Sequence, residues 1–585
     1  MTLKETITLK DLNLKKNDLK YLLIITIFAF VTIFYRVRFH ASGGVFSPDK
    51  AVYLINALMY SGMDYYHIAN PGDIFFSPVI SFLTSILFRM GLVDQLAISL
   101  VSSFFALFGY FGLYLLLKNK FNSLLSLTGV IIYGSITEFL LNLSSGLLDV
   151  PAISISIWIL VLSIIGINRN SKYIIIIFPL CVIGFFTRYT VGLMIPVIIM
   201  YYLIKRDFIE NLISFKNNTG EYRKKISNYL KSFEFKMIIL SISLSITLFI
   251  LISKYLILDF GGSLTFISQS SNTINVQSFT GGTDYNPDKL FYIKNFSEFL
   301  ISENRALDRT FSYLLYSILS IGILIEIAYL LKKLNIKRLK EKFKIRTNQV
   351  LILLLIILII SSAIGFKVYL NHMIANTSII LSLILINYLI NQISSEKDKY
   401  TFTILNIGYF SIYFIFISLY PIKVLRYALP ILPPFIYFVI LGLNAILDFI
   451  NSLITKSKEK HSIDSKKQTK YLKLIPIILI IIFFVSTVTF IEPMEIEGYS
   501  NSLIDASDYI ISHDPNYHSK TFASNNHNYR LVKWDLNVNV SYIIGEHENP
   551  DSCNTTYIIN WKKYNNLENY HKIYSNDKYH IYRHN

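Results

Sequence analysis

From Val350 to Ile360 the chain is an unbroken aliphatic run, Val-Leu-Ile-Leu-Leu-Leu-Ile-Ile-Leu-Ile-Ile, with no polar residue to give it a wet face. A segment that is apolar on every side belongs in lipid or in the heart of a large helical bundle. Such windows recur thirteen times, at about 21–38, 98–117, 122–141, 150–167, 172–187, 189–204, 237–257, 310–331, 349–365, 373–391, 401–420, 427–449 and 474–491. Only 16% of the 585 residues are charged, against roughly a quarter in a soluble protein. The fold class read from these windows is a polytopic α-helical membrane protein with about 13 spans.

The net charge of +17 raises nucleic acid as a partner, but its distribution excludes that. Lysine and arginine collect in alternate loops, at 205–236, 332–346 and 456–473, as the positive-inside rule requires of cytoplasmic loops. A fourteenth apolar stretch, 74–91, decides the parity. Counted as a span, it would put the strongly basic 332–346 loop outside, so it is read as a helix on the outer surface. The expected topology has the N-terminus in the cytoplasm and the C-terminus outside the cell membrane. The first apolar stretch follows twenty residues without a small-residue cleavage site, and is read as a retained helix. Two cysteines, Cys181 and Cys553, support neither a disulfide nor a cysteine metal cluster.

The apolar stretch 171–204 would be about 50 Å long as one helix, far beyond a ~30 Å hydrocarbon core. Arg188 lies halfway along it. A charge at the bilayer centre costs roughly 2.5–3.5 kcal/mol, so two shorter spans with a turn at Arg188 are expected. Three outer segments follow. Segment 39–97 carries Asp49, Lys50, Asp64, His67, Asp73 and Arg89; segment 142–150 carries Asp149; segment 258–309 holds the pairs Gly261-Gly262 and Gly281-Gly282. A loop as long as the third is commonly a lid or binding loop. After residue 492 the chain turns polar and rich in Asn, Tyr and His, which divides it into a membrane domain (1–491) and a small extracytoplasmic α/β domain (492–585). A helix is expected there at 501–512 and strands at 538–544 and 556–560.

On this topology Asp49, Asp149, Arg188, Lys423 and Arg426 fall on one face. Each alone can be a boundary charge, and both aspartates can be helix caps. Together they read as a site. Asp49 suits a general base, with Asp149 as a second catalytic carboxylate. Arg188 and Arg426, with Lys423, suit phosphate oxygens, since planar guanidinium groups hold them bidentately and fixed cations stabilise a departing phosphate. Two carboxylates suit a divalent cation but are too few to define its site, so no cofactor is assigned. His67 and His372 have no partner at metal-ligand spacing, and Glu138 is placed at the wall of the cavity. There is no dinucleotide, P-loop or Ser-His-Asp signature.

Several segments resemble the C-type (GT-C) glycosyltransferase superfamily. They are Asp49 shortly after the first span, Ser77-Pro78-Val79-Ile80, Leu148-Asp149-Val150-Pro151, Gly184-Phe185-Phe186-Thr187-Arg188-Tyr189, and Arg426-Tyr427-Ala428-Leu429-Pro430-Ile431-Leu432-Pro433. The protein mannosyltransferase-like branch is the nearest in pattern; it includes the transferase that adds aminoarabinose to lipid A. The resemblance spans roughly residues 20–490 and implies about thirteen spans with outer juxtamembrane helices. It also implies transfer of a sugar from a polyprenyl (dolichyl-type) phosphate donor to a protein or lipid-linked glycan acceptor, among membrane lipids and without nucleic acid. Carried over, Asp49 becomes the base, Asp149 the second carboxylate, and Arg188 and Arg426, with Tyr427 beside the latter, contacts to the lipid phosphate. Many relatives have Asp-Glu where this chain has Asp49-Lys50, which removes an acidic partner and makes Lys50 a further candidate for the phosphate. No Trp-Trp-Asp motif points to the oligosaccharyltransferase branch. The competing class is a transporter or flippase of a lipid-linked sugar, which calls for charges and broken helices near the midplane.

Overall fold

The computed structural model describes residues 14–40, 48–62, 77–261, 288–300, 310–333, 345–367, 372–393, 400–458, 472–489 and 494–585, apart from 218, 421, 526–528, 539, 544–553, 562 and 565–566; residues 264, 286 and 341 are also described. Asp64, His67, Asp73, the glycines at 262, 281 and 282, Cys553 and most of the basic loops lie outside the described residues.

The first half of the chain runs α1 (Leu19–His40), α2 (Pro48–Ser61), α3 (Pro78–Arg89), α4 (Gln95–Lys118), α5 (Ser123–Gly134), α6 (Thr137–Ser144), α7 (Asp149–Asn168), α8 (Ile174–Thr187) and α9 (Met194–Lys205), then α10 (Phe208–Asn217), α11 (Thr219–Leu230) and α12 (Phe233–Ile252). Long helices follow at Thr310–Lys333, Arg346–Lys367, His372–Ile393, Thr401–Leu419, Leu432–Lys458 and Leu474–Val488. Among the described residues eight helices are long and apolar enough to cross a membrane, and the bent pair α5–α6 makes a ninth. Shorter apolar helices occupy Pro78–Arg89, Ser171–Thr187, Tyr189–Lys205 and Leu474–Val488. The protein is a multi-pass membrane protein. Helices serve here because each satisfies its own backbone hydrogen bonds where no water can.

Position in the bundle follows polarity. The window in Arg346–Lys367 is 6% buried by protein, whereas that of α7 is 89% buried; the first faces lipid and the second is the central post. Three serines lie on α7 without penalty because each hydroxyl donates to the carbonyl one turn back: Ser154 to Val150, Ser156 to Ala152 and Ser163 to Ile159. Thr310–Lys333 and Leu432–Lys458 meet at Gly322 and Gly442, where a methyl group on Gly322 would stand 2.0 Å from the Gly442 Cα. Such close backbone approach is how membrane helices gain contact without a hydrophobic driving force.

Two breaks shape the site. The 122–141 window, read from sequence as one span, is a pair of helices bent by 65°. The bend begins at Ser135, whose hydroxyl donates to Ile131 in its own helix and to Phe483 from a distant one. Ile136 is extended (φ −66°, ψ 133°) before the chain turns into α6. The second break is at Arg188, as the length argument requires: α8 ends at Thr187, Arg188 is extended (φ −159°, ψ 126°), and a 3-10 turn, Tyr189–Leu193, leads into α9.

The C-terminal segment contains the helices Met494–His513 and Tyr529–Leu536 and the strands β1 (Phe522–Asn525), β2 (Val540–Ile543), β3 (Tyr557–Asn560), β4 (Tyr570–Ser575) and β5 (His580–His584). The sheet order is β2-β1-β3-β5-β4. β1 pairs in parallel with β2 and β3, and β5 runs antiparallel between β3 and β4. Residues of this module share one core with α2, α3 and the start of α4: Leu54, Leu58, Phe88 and Ile98 pack with Val532 and Leu536. The rings of Phe88 and Trp534 stack with centroids 6.4 Å apart. The module thus sits directly on the helix that carries Asp49.

Candidate active site

Four charged residues from distant parts of the chain converge. Asp49 is in the first turn of α2, behind Pro48. Asp149 opens α7, with Pro151 in the same turn, where a missing N–H costs nothing. Arg188 occupies the break between α8 and α9, and Arg426 lies on the 3-10 helix Leu425–Ile431. Neither aspartate is an N-cap; each lies inside the first turn, where the helix dipole favours a carboxylate.

The four form two ion pairs. Arg426 Nη2 donates to Asp49 Oδ2 at 2.6 Å, and Arg188 Nη1 pairs with Asp149 Oδ1. Tyr427 joins them, its ring centroid 5.2 Å from the Arg188 guanidinium and 5.6 Å from that of Arg426, distances at which the ring face attracts both cations. The pairs differ in access. The Asp149 side chain is 2% exposed, and that of Asp49 is 39% exposed. Asp149 is therefore committed to holding Arg188, while Asp49 remains open to a ligand.

Two of the expected phosphate contacts are engaged elsewhere. Lys50 is 1% exposed and its ammonium donates to Gln95 Oε1 at 3.3 Å. It follows Asp49 by one position, so on a helix it faces the core when Asp49 faces the cleft. Lys423 is also buried; it donates to the carbonyls of Ile417 and Ser418, capping the C-terminus of Thr401–Leu419, and its ammonium lies 5.5 Å from the Tyr292 ring centroid. Burial pushes Lys50 down from 10.5 to about 8, with attraction from Asp94 opposing the shift. Between pH 8 and about 10 the unfolded lysine holds its proton more tightly than the folded one, so stability rises with pH through that window. Lys50→Met is expected to raise stability at pH 7, on the order of 3 kcal/mol, and to flatten that rise. Thermal unfolding in detergent at pH 7 and pH 9.5 reads both effects.

Glu138 and Asn142 on α6 complete the inner wall. Glu138 lies within electrostatic reach of Asp149 and Arg426, and Asn142 Nδ2 donates to its carbonyl and its Oε1 at 2.8 and 2.9 Å. Sequence alone placed Glu138 here but missed Asn142 and Tyr53, the latter one helical turn beyond Asp49. A repeated spacing of four on α2 is the signal that would have found Tyr53. Among the described residues no three His, Cys, Asp or Glu side chains converge on a metal position.

Beside the Arg188 break lies a cavity of about 280 Å³ between α8, the start of α9 and α12, with an almost wholly apolar lining. Phe185 and Gly192 of that lining flank Arg188 in sequence, while Ile242, Ile246 and Phe249 come from α12. The window of α12 is only 17% buried, so the cavity lies against a lipid-facing helix.

Residues 76–216, which include Asp149 and Arg188, match the family described as dolichyl-phosphate-mannose-protein mannosyltransferase. Among solved structures, ArnT from Cupriavidus metallidurans bound to undecaprenyl phosphate is similar in fold, with a TM-score of 0.52 at 9% identity, over 96% of this chain and 97% of that one. The apo state of the same protein gives 0.50 at 8% identity with the same coverage. The oligosaccharyltransferase AglB from Archaeoglobus fulgidus gives 0.48 at 11% identity, over 93% of this chain and 69% of that one. No curated protein sequence matches the chain. The overall architecture is the GT-C fold expected from the sequence.

Proposed function

We propose that this membrane glycosyltransferase of the GT-C fold moves a sugar from a polyprenyl-phosphate donor to a hydroxyl-bearing acceptor, protein or lipid-linked, on the non-cytoplasmic face. One observation carries the reading: residues 49, 149, 188 and 426 form two carboxylate–guanidinium pairs, and Phe185 and Gly192, three and four residues either side of Arg188, line an apolar cavity against a lipid-facing helix. A ligand with an anionic head and a long apolar tail answers both halves of that arrangement. The phosphate lies against Arg188 and Arg426, and the first isoprene units enter between α8 and α12.

In this reading Asp49, the exposed carboxylate, takes the proton from the acceptor as the acceptor's oxygen bonds to the anomeric carbon. The bond from that carbon to the phosphate oxygen breaks, and its electron pair leaves with the lipid phosphate. Arg188 and Arg426 stabilise the growing charge at a site where no dipole needs to reorganise. Holding acceptor and donor in line supplies much of the acceleration. Asp149 acts through Arg188, as a positioning residue. Lys423 caps the helix end that precedes Arg426, and Lys50 lies in the core beneath Asp49.

Purified protein in liposomes, given radiolabelled polyprenyl-phosphate sugars and an extract of acceptors, tests the reading. Label is expected to leave the lipid for the acceptor. Label that crosses the bilayer while still attached to its lipid establishes the flippase instead.

A further inference from the structure

Tyr53 is the polar side chain at the site that the two ion pairs leave unused. It follows Asp49 by four residues on α2, which puts both on one helix face. Its phenol lies within electrostatic reach of Asp49, Arg188, Arg426 and Asp149 together, yet its hydroxyl has no hydrogen-bond partner among the described residues. Burial first, and the neighbouring carboxylates with it, raise the phenol's pKa, so it stays a donor at any physiological pH. A second donor in the same place is also without a partner. Arg426 Nη2 is taken by Asp49, but Arg426 Nε is buried and unbonded. Arg426 Nε, a buried donor left unmatched, costs free energy unless a ligand supplies the acceptor, and the hydroxyl of the half-buried Tyr53 is open to the same ligand. Both free groups are donors, so the ligand atom they face must accept.

We propose that Tyr53 is a ligand-binding residue whose hydroxyl, together with Arg426 Nε, donates to the phosphate oxygens of the polyprenyl-phosphate donor. The proposal rests on the glycosyltransferase reading and adds to it a neutral donor that reports on phosphate alone. Asp49 faces the proton of the acceptor, while Tyr53, one turn deeper, faces the leaving group. The hydroxyl strengthens its bond as charge builds on the leaving oxygen, and it lets the phosphate go again because it carries no charge of its own.

The test compares wild type with Tyr53→Phe, measuring Kd for a short-chain polyprenyl phosphate and for the corresponding polyprenol, with a thermal melt on each sample. The variant keeps the ring and removes an oxygen that makes no hydrogen bond among the described residues, so its melting temperature is expected to stay put. Loss of a hydrogen bond to a charged group predicts a Kd for polyprenyl phosphate weaker by about tenfold or more, with polyprenol binding unchanged. Equal weakening for phosphate and alcohol would show a packing role and overturn the proposal, as would no change in either. Should wild type itself bind polyprenol as tightly as polyprenyl phosphate, the glycosyltransferase reading fails with it. A wild type that prefers the phosphate beside an unaffected variant sinks Tyr53 alone.

Discussion

Replacing Asp49 by Asn is expected to lower sugar transfer by about 10²- to 10⁴-fold, the usual contribution of a positioned general base. Binding of polyprenyl phosphate is expected to survive. The amide keeps the shape of the carboxylate but cannot take a proton, and it frees Arg426 from its anionic partner. The fold should tolerate the change, because the Asp49 side chain is 39% exposed and ion pairs in contact with water contribute about 1 kcal/mol or less. Initial rates with saturating donor, set beside a donor-binding isotherm on the same preparation, separate the two effects. A variant with wild-type turnover would move the base elsewhere, with Glu138 as the carboxylate next in line.

Arg188→Ala should do a different kind of damage. It leaves Asp149, whose side chain is 2% exposed, as a buried charge without its ion-pair partner, with Arg426 the cation still within electrostatic reach. Removing one partner from such a pair costs about 3–5 kcal/mol, enough to remove a large part of a typical domain's stability. Arg426→Ala leaves the exposed Asp49 unpaired and weakens the attraction at Asp149, which keeps its direct pair with Arg188; it should cost less stability, while losing activity just as fully. Neutralising the stranded carboxylate offers the control. Asp149→Asn in the Arg188→Ala background is expected to recover most of the melting temperature and none of the transfer. A melt of Arg188→Ala no lower than that of Arg426→Ala would mean that the burial of Asp149 is not what holds this part of the molecule together.

What was legible in the sequence was whatever hydropathy and charge can decide locally. Arg188 was placed because an apolar stretch too long for one span had a single charge at its middle, and the structure breaks there. The four charged residues of the site could be gathered on one face because each stands at the end of an apolar window. Long-range partners could not be read the same way. Lys50 looks like any cation next to Asp49 until α4 brings Gln95 beside it. Lys423 likewise resembles a phosphate contact, and its real acceptors are the carbonyls that end the preceding helix. At the bend between α5 and α6, Ser135 bonds to Phe483, almost 350 positions away, and no local pattern announces that contact. In the C-terminal module, the strands at 540–543 and 557–560 fall on apolar runs legible in the sequence, whereas β1, β4 and β5 are interrupted by Ser, His and Lys. Their place in the sheet comes from pairing with β3 and its neighbours more than from alternation of their own.

The sharpest single measurement is the ratio of free polyprenyl phosphate to glycosylated acceptor when the wild-type protein consumes a polyprenyl-phosphate sugar. Direct displacement against Arg188 and Arg426 predicts one mole of lipid phosphate released for each mole of sugar transferred, with the product appearing on the face that holds Asp49. Sugar that crosses the bilayer still joined to its lipid, with no phosphate released, would contradict the proposed chemistry at its root.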